Sequence, residues 1–315
     1  MITLAALFFF TVQARSAGLE KIRIAFPSVG TVISGNIGVT LQKTDILKKH
    51  GFDGVLTPLP LGRELKEAFA AGQVDVIFTS EANFIVLLGQ GVPCRAISTF
   101  GSMGQMGLVV RPGSAIGKLS DLKGKKLATI FGTSLHEPAV DWPREAGLDT
   151  RKDVELVNMR GMGPLNAAFA SGEVDAIVTF DPYLTQGVKK GEYRILRKTG
   201  LDGIVLMSGA YAAAHPGSAK RFNQMLREAV YYVASHHEAT NAWAGELSGM
   251  PAELLAEASK TNANYNAKKI SDVGLAISPA YRKKLARLGR FFFEEQLISA
   301  KPDVSSSIGN GTTER

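Results

Sequence analysis

Three short loops hold the residue types that could do chemistry. The first is Gly132-Thr133-Ser134, with a helix predicted from Leu135. The first N–H groups of a helix lack intrahelical partners and sit at the positive end of its dipole, so such a loop can bind an anion. The two hydroxyls can donate to that ligand, or they can simply cap the helix. His136, one turn in, can donate to an anion or merely pack. The second loop is Thr79-Ser80-Glu81 and the third is Asp181-Pro182-Tyr183. Two carboxylates facing one space, Glu81 and Asp181, favour a ligand with amine or hydroxyl donors. Capping the helices that follow is their other use. Tyr183 adds an aromatic face and a hydroxyl.

The loops are positioned by a phrase that occurs twice. Residues 68–79 read AFAAGQVDVIFT and residues 168–179 read AFASGEVDAIVT, at a constant offset of 100. A glycine and a leucine precede each copy, Gly62 and Leu65 in one, Gly163 and Leu165 in the other. That period is too long for a solenoid unit and fits two copies of one α/β lobe. Leu65, Ala68 and Phe69 line one helix face by their i, i+3, i+4 spacing. Gly72 and Gly172 suit left-handed helix C-caps. The β-branched runs that follow read as strands buried on both faces, as in a parallel sheet. Glu81 and Asp181 then lie at strand carboxyl ends, where open α/β sheets bind ligands.

Composition narrows the class. The chain has 315 residues, is 45% hydrophobic and 21% charged, and carries a net charge of +7, which suits about two globular domains. Its basic residues are scattered and not interleaved with aromatics, so nucleic-acid binding is not expected. The single cysteine, Cys94, allows no intrachain disulfide. The five histidines show no ligand spacing beyond His236-His237, so no metal site is expected. No Ser-His-Asp or paired-carboxylate motif stands out, and no catalytic residue is assigned.

Residues 1–17 read as a signal peptide: Ile2 to Val12 is apolar, and small residues follow at Ala14, Ser16 and Ala17. No cysteine stands there to take a lipid anchor. Strands are expected at residues 21–26, 55–59, 107–111, 154–159 and 204–211, besides those of the repeat. Helices are expected over 31–50, 82–88, 217–238, 251–262 and 278–298. The β-α-β-α-β-α order argues a mainly parallel sheet flanked by helices in each lobe. Lobe I takes residues 18–106 and 204–300, lobe II takes 107–203, and 301–315 is a polar tail expected to be disordered. Ser28 and Thr31, after the first strand, should form another wall of the cleft. Ser102 and Met103, just before the crossing strand, suit a hinge and backbone contacts.

The opening strand KIRIAF, the first repeat copy, the stretch VVRPGSAIGKLSDLKGKKLATIFGTSLHE and the run VDAIVTFDPYL together resemble the type II periplasmic solute-binding proteins. The group is that of the taurine, aliphatic sulfonate, nitrate and thiamine-precursor binders, the NMT1/THI5-like family. The resemblance covers residues 20 to about 295. It implies a two-lobed α/β clamshell in the periplasm that captures a small polar solute and delivers it to an ABC permease and its ATPase. It implies a monomer without cofactor or turnover, and places ligand at Gly132-Thr133-Ser134. A sensing module of the same shape is one alternative, and a thiamine-precursor enzyme is another. Where the family more often has Trp-Glu-Pro-Tyr, this chain has Phe180-Asp181-Pro182-Tyr183, so the ligand itself is not carried over.

Overall fold

The computed structural model describes residues 18–28, 32–60 and 62–309. The expected signal peptide and Thr31 lie outside the described residues. The strands are β1 (Glu20–Pro27), β2 (Phe52–Leu59), β3 (Val76–Ser80), β4 (Cys94–Val110), β5 (Lys126–Thr129), β6 (Glu155–Asn158), β7 (Ala176–Phe180) and β8 (Arg194–Ser208). The helices are α1 (Ile33–Lys43), α2 (Ile46–Lys49), α3 (Gly62–Ala70), α4 (Glu81–Gly89), α5 (His136–Glu145), α6 (Met162–Ser171), α7 (Tyr183–Lys189), α8 (Gly209–Ala214), α9 (Ser218–Ser235), α10 (His237–Ser248), α11 (Ala252–Ser259) and α12 (Pro279–Glu294). No helix among them is long and apolar enough to cross a membrane.

The repeated aspartates make the same bonds in both copies. Arg23 N–H donates to Asp75 Oδ2 at 2.8 Å, and Asp75 N–H returns a bond to the Arg23 carbonyl at 2.8 Å. Lys126 N–H donates to Asp175 Oδ2 at 2.9 Å, and Asp175 N–H returns to the Lys126 carbonyl at 2.9 Å. Each acid thereby ties its own strand to the first parallel strand of its half, β1 or β5. Gly72 and Gly172 end α3 and α6 at φ +68° and +84°, the left-handed conformation a helix C-cap needs.

The eight strands form one sheet in the order β2-β1-β3-β8-β4-β7-β5-β6. Each half has three parallel strands, β2-β1-β3 or β6-β5-β7, followed by one antiparallel neighbour, β8 or β4. β4 and β8 are long, antiparallel and paired from Cys94↔Ser208 to Val110↔Arg194, so they run through both halves. Two separate sheets were expected, and short crossing strands at 107–111 and 204–211. The observed strands begin earlier, and Gly209 to Tyr211 belong to α8. Gly101-Ser102-Met103-Gly104, expected just before the crossing strand, lies within it: Gly101 and Gly104, at φ +84° and +111°, bend β4 through register shifts without ending it.

Three further expectations change. The one helix expected over 31–50 is replaced by two, α1 and α2, parted at Thr44-Asp45. An unforeseen helix, α10, follows α9 after His236; its buried positions are Thr240, Asn241 and Ala244, so it lacks the apolar period that marks α9. Residues 301–309, expected to be disordered, dock on the sheet. Ala96 N–H donates to the Ser307 carbonyl and Gly309 N–H to the Ala96 carbonyl, while Val304 and Ile308 are buried.

Two helices of the first half carry much of the core. Phe222, Met225, Leu226, Ala229, Val230 and Val233 of α9 are all fully buried, and Phe222 packs edge-on against Phe52 at 6.1 Å. Burying each large side chain stabilises by about 1.5–3 kcal/mol. α12 buries Leu285, Leu288 and Phe292 against α4.

Candidate functional site

A cleft of about 320 Å³ lies between the two halves of the sheet. α3, α4, α5 and α6 all begin at it, since Gly62, Ser80, Leu135 and Gly161 belong to its walls. Each start follows the carboxyl end of a strand, which is how an α/β unit directs N–H groups into a crevice. No side chain caps α4 or α6, which leaves N–H groups there for a ligand or water. At α5 the Leu135 and His136 N–H groups are taken by Thr133 and Pro138 has none, so Glu137 N–H is the one left in its first turn.

Of the residues singled out above, Thr79, Ser80, Met103, Gly132, Thr133 and Ser134 line this cleft. The two hydroxyls of the Gly132 loop differ. Thr133 Oγ1 donates to the Ile130 carbonyl at 2.7 Å and accepts the Leu135 N–H at 3.2 Å, so it holds the turn. Ser134 Oγ is buried and has no hydrogen-bond partner, which leaves it for a ligand. Thr79 Oγ1 accepts from Asn83 Nδ2 at 2.8 Å, and that amide also donates to the Gly62 carbonyl at 3.0 Å. Asn83 thereby fixes the start of α3 against the end of β3.

Other expected contacts are structural. Glu81 is buried; its carboxylate meets Lys284 Nζ at 2.9 Å, and loss of solvation raises its pKa to about 7. Asp181 is also buried. It accepts Gln105 N–H at 2.7 Å, Thr185 N–H at 3.0 Å and Thr185 Oγ1 at 2.7 Å, so it caps α7 and braces β4. Neither carboxylate is part of the cleft wall, because short side chains at the first turn reach local N–H groups or a cation before they reach a ligand.

His136 is buried and stacks on Phe131 at 4.2 Å. Desolvation lowers its pKa to about 4, so the ring is neutral at pH 7. Gly132 N–H donates to its Nδ1 at 3.3 Å. The ring thus braces the loop, and His136 is not among the residues that line the cleft. Ser102 Oγ donates to the Gly104 carbonyl at 2.5 Å and closes a turn in β4. Ser28 N–H pairs with the Leu59 carbonyl, and its neighbour Pro27 is the one that lines the cleft. Tyr183 faces a second cavity, outside the cleft, with Phe169 and Tyr193.

The charges of the cleft come from residues the sequence reading passed over. Arg63, Lys66 and Arg160 line it, and Glu64 is the sole acid among its described residues. Arg63 pairs with Glu64 at 3.0 Å. No carboxylate among the described residues pairs with Lys66 or Arg160. Partial burial lowers the Lys66 pKa. These two cations approach from opposite halves, Lys66 from α3 and Arg160 from the loop before α6. A sequence clue existed: Lys66 is at i+4 from Gly62, and Arg160 directly precedes the glycine that starts α6. The remaining wall is apolar, with Leu65, Met103, Ile130, Phe131, Met162 and Phe180. The cleft thus suits a small anion with an apolar body. No cysteine, histidine or aspartate is among its described lining residues, and no metal-binding group of acids, histidines or cysteines occurs among the described residues.

Known proteins share this fold. A protein of Escherichia coli (strain K12) named as an aliphatic sulfonates-binding protein is 27% identical over 313 residues, covering 96% of this chain and 92% of that one. The crystal structure of the periplasmic aliphatic sulphonate binding protein SsuA from Escherichia coli superposes with a TM-score of 0.79 at 22% identity, over 93% of this chain and 98% of that one. The alkanesulfonate-binding protein SsuA from Xanthomonas axonopodis pv. citri, bound to MOPS, gives 0.75 at 20% identity, over 93% and 99%. The desulfurization enzyme DszB gives 0.68 at 15% identity, over 92% and 96%. These structures establish the periplasmic-binding-protein fold, which an enzyme also uses. The family described as NMT1/THI5 like matches residues 49–240, more than half of the sequence, and the chain belongs to that family.

Proposed function

We propose that the protein is the periplasmic substrate-binding component of an ABC importer and that it captures an aliphatic sulfonate. The observation that carries this reading is the pairing of two cations without an ion-pair partner among the described residues, Lys66 and Arg160, with the uncapped N-termini of α4 and α6 and apolar walls in one small cleft. A sulfonate keeps its charge at every physiological pH, takes hydrogen bonds on three oxygens and carries an apolar chain. The names of the sulfonate-binding relatives support the same class. In this reading residues 18–106 with 204–300 are one lobe and 107–203 the other. They close about Gly101, Gly104 and Gly203 in the crossing strands, and the ligand favours the closed state by its differential affinity. Residues 1–17 are removed on export, and the mature monomer meets a permease and its ATPase.

In this reading the protein binds its ligand without turning it over. The one cysteine, Cys94, is buried away from the cleft, and burial pushes its thiol up to about 12, so it offers no thiolate near neutral pH. The test is a thermal-shift and calorimetric screen of ethanesulfonate, taurine, sulfate, nitrate and an aliphatic carboxylate. Ligand at ~100 times its dissociation constant adds about 2.7 kcal/mol of stability. Ethanesulfonate should stabilise most and be recovered unchanged. Equal or stronger binding of nitrate or the carboxylate, or a new product, would refute the assignment.

A further inference from the structure

α12 lies outside the cleft, yet one stripe of it grips α4 and α5, two of the helices that begin at the cleft, one from each half. Lys284 Nζ lies 2.9 Å from Glu81, the first residue of α4, and 2.8 Å from Asp202 on β8. One turn on, Arg287 lies 2.8 Å from Glu137 and 3.1 Å from Asp141 of α5. Phe291 meets the edge of His136 at 5.9 Å. Just past the helix end, Glu295 takes Arg144 at 2.8 Å and Arg151 at 3.6 Å. The side chains of α12 and of Glu295 thus reach α5 at Glu137, Asp141, His136 and Arg144.

These two helices belong to different halves. α12 packs on α4, while α5 packs on β5 and β7. Any opening of the cleft that carries α5 with its own strands must therefore stretch the ladder. The acids at its centre are not ordinary surface groups: the Glu81 side chain is 2% exposed and that of Glu137 8%. Left without their cations they would be unpaired charges in a poorly solvated place. Arg287, 54% exposed, is open to salt, so the outer rungs can be weakened without unfolding the core.

We propose that α12 is an ionic latch between the halves: Arg287, with Glu295, holds α5 against the first half, and Lys284 anchors the same strip to Glu81 at the start of α4. Arg287 and Lys284 are positioning residues, which act on the ligand site through the two helix starts and do not touch its contents. The latch biases the halves toward closure before any ligand arrives.

The latch can be tested without a ligand. Spin labels at Gln73→Cys and Glu173→Cys, exposed and matching positions of the repeat, report the distance between the halves; buried Cys94 stays unlabelled. The variant Arg287→Gln with Glu137→Gln removes both charges at the buried pair, and half-buried Asp141 keeps Arg144 at 4.0 Å, so the melting temperature should change little. It should shift the distance distribution toward longer values. Raising the salt should do the same to the wild type and little to the variant. Arg287→Lys, which keeps the charge, should retain the shorter distances at low salt. Wild-type distances in the double variant, or an equal salt response in both proteins, would overturn the latch.

A second arm rests on the reading of the cleft as a sulfonate site. Ethanesulfonate should bind the double variant roughly fivefold or more weakly. Equal affinity would overturn the coupling, whereas no binding to the wild type would fault the ligand reading and leave the distance measurement standing.

Discussion

The Asp181 carboxylate accepts the Gln105 N–H at 2.7 Å, joining the end of β7 to the bend in β4. Its other oxygen takes both the N–H and the hydroxyl of Thr185. An acid placed where a ligand might be sought is thus consumed in joining a strand to a helix start. Asp181→Ala should cost about 2 kcal/mol or more in urea denaturation, since three bonds to a charged group are lost and Gln105 N–H is stranded. Sulfonate affinity, measured by calorimetry below the unfolding transition, should stay within about twofold.

Thr133 and Ser134 should separate by the same two measurements. Ser134→Ala removes a buried hydroxyl that has no partner in the protein, so it should leave the unliganded stability unchanged or slightly raised. Ligand affinity should fall ten- to a hundredfold if a charge-assisted bond is lost, about 1.5–3 kcal/mol. Thr133→Ala breaks the turn bonds to Ile130 and Leu135 and should lower stability by about 1 kcal/mol.

Lys66→Met and Arg160→Met should each weaken ethanesulfonate binding about tenfold. Both should also flatten its dependence on ionic strength, because the lost term is Coulombic. Neither should destabilise the fold, as neither residue has an ion pair to lose. A titration series over salt concentration checks both statements.

Two buried groups should give opposite pH signatures. His136 has its pKa lowered to about 4 by desolvation, so the unfolded chain binds the proton first. Its contribution, present above about pH 6.5, is lost as pH falls toward 4. Glu81 has its pKa raised to about 7, chiefly by desolvation against the pull of Lys284. Here the folded chain holds the proton first, so stability declines as pH rises from about 4.5 to about 7. The stability difference between wild type and His136→Gln should therefore grow with pH over that window. The difference between wild type and Glu81→Gln should shrink over it. Equilibrium denaturation at four or five pH values reads both slopes.

Much of this was legible before any coordinates. The repeat located α3, β3, α6 and β7, because helix period, glycine cap and β-branched run are local signals. Thr79 and Ser80 follow from its first strand and Gly132-Thr133-Ser134 from the strand-to-helix loop before Leu135, and all of them line the cleft. Lys66 and Arg160 were not legible as a pair: each is a single basic residue with no local signature, and only the fold brings α3 opposite the start of α6. The length of β4 was hidden because Gly101 and Gly104 look like a stop in sequence and act as a bend in a ladder. Glu81 was misassigned because its partner, Lys284, lies some two hundred residues further along the chain.

The crossing of β4 and β8 also sets an order of assembly. β5, β6 and β7, with α5 and α6 between them, are contiguous in the chain and can pair as soon as residue 180 is made. The first half cannot finish then, since β3 needs β8 as its antiparallel neighbour and the core waits for α9 and α12. Its loop closures are long and therefore slow. A nascent chain of this topology carries one completed half while the first half still exposes Phe26, Phe52 and Phe78, and it becomes resistant to proteolysis only after α12 has been added.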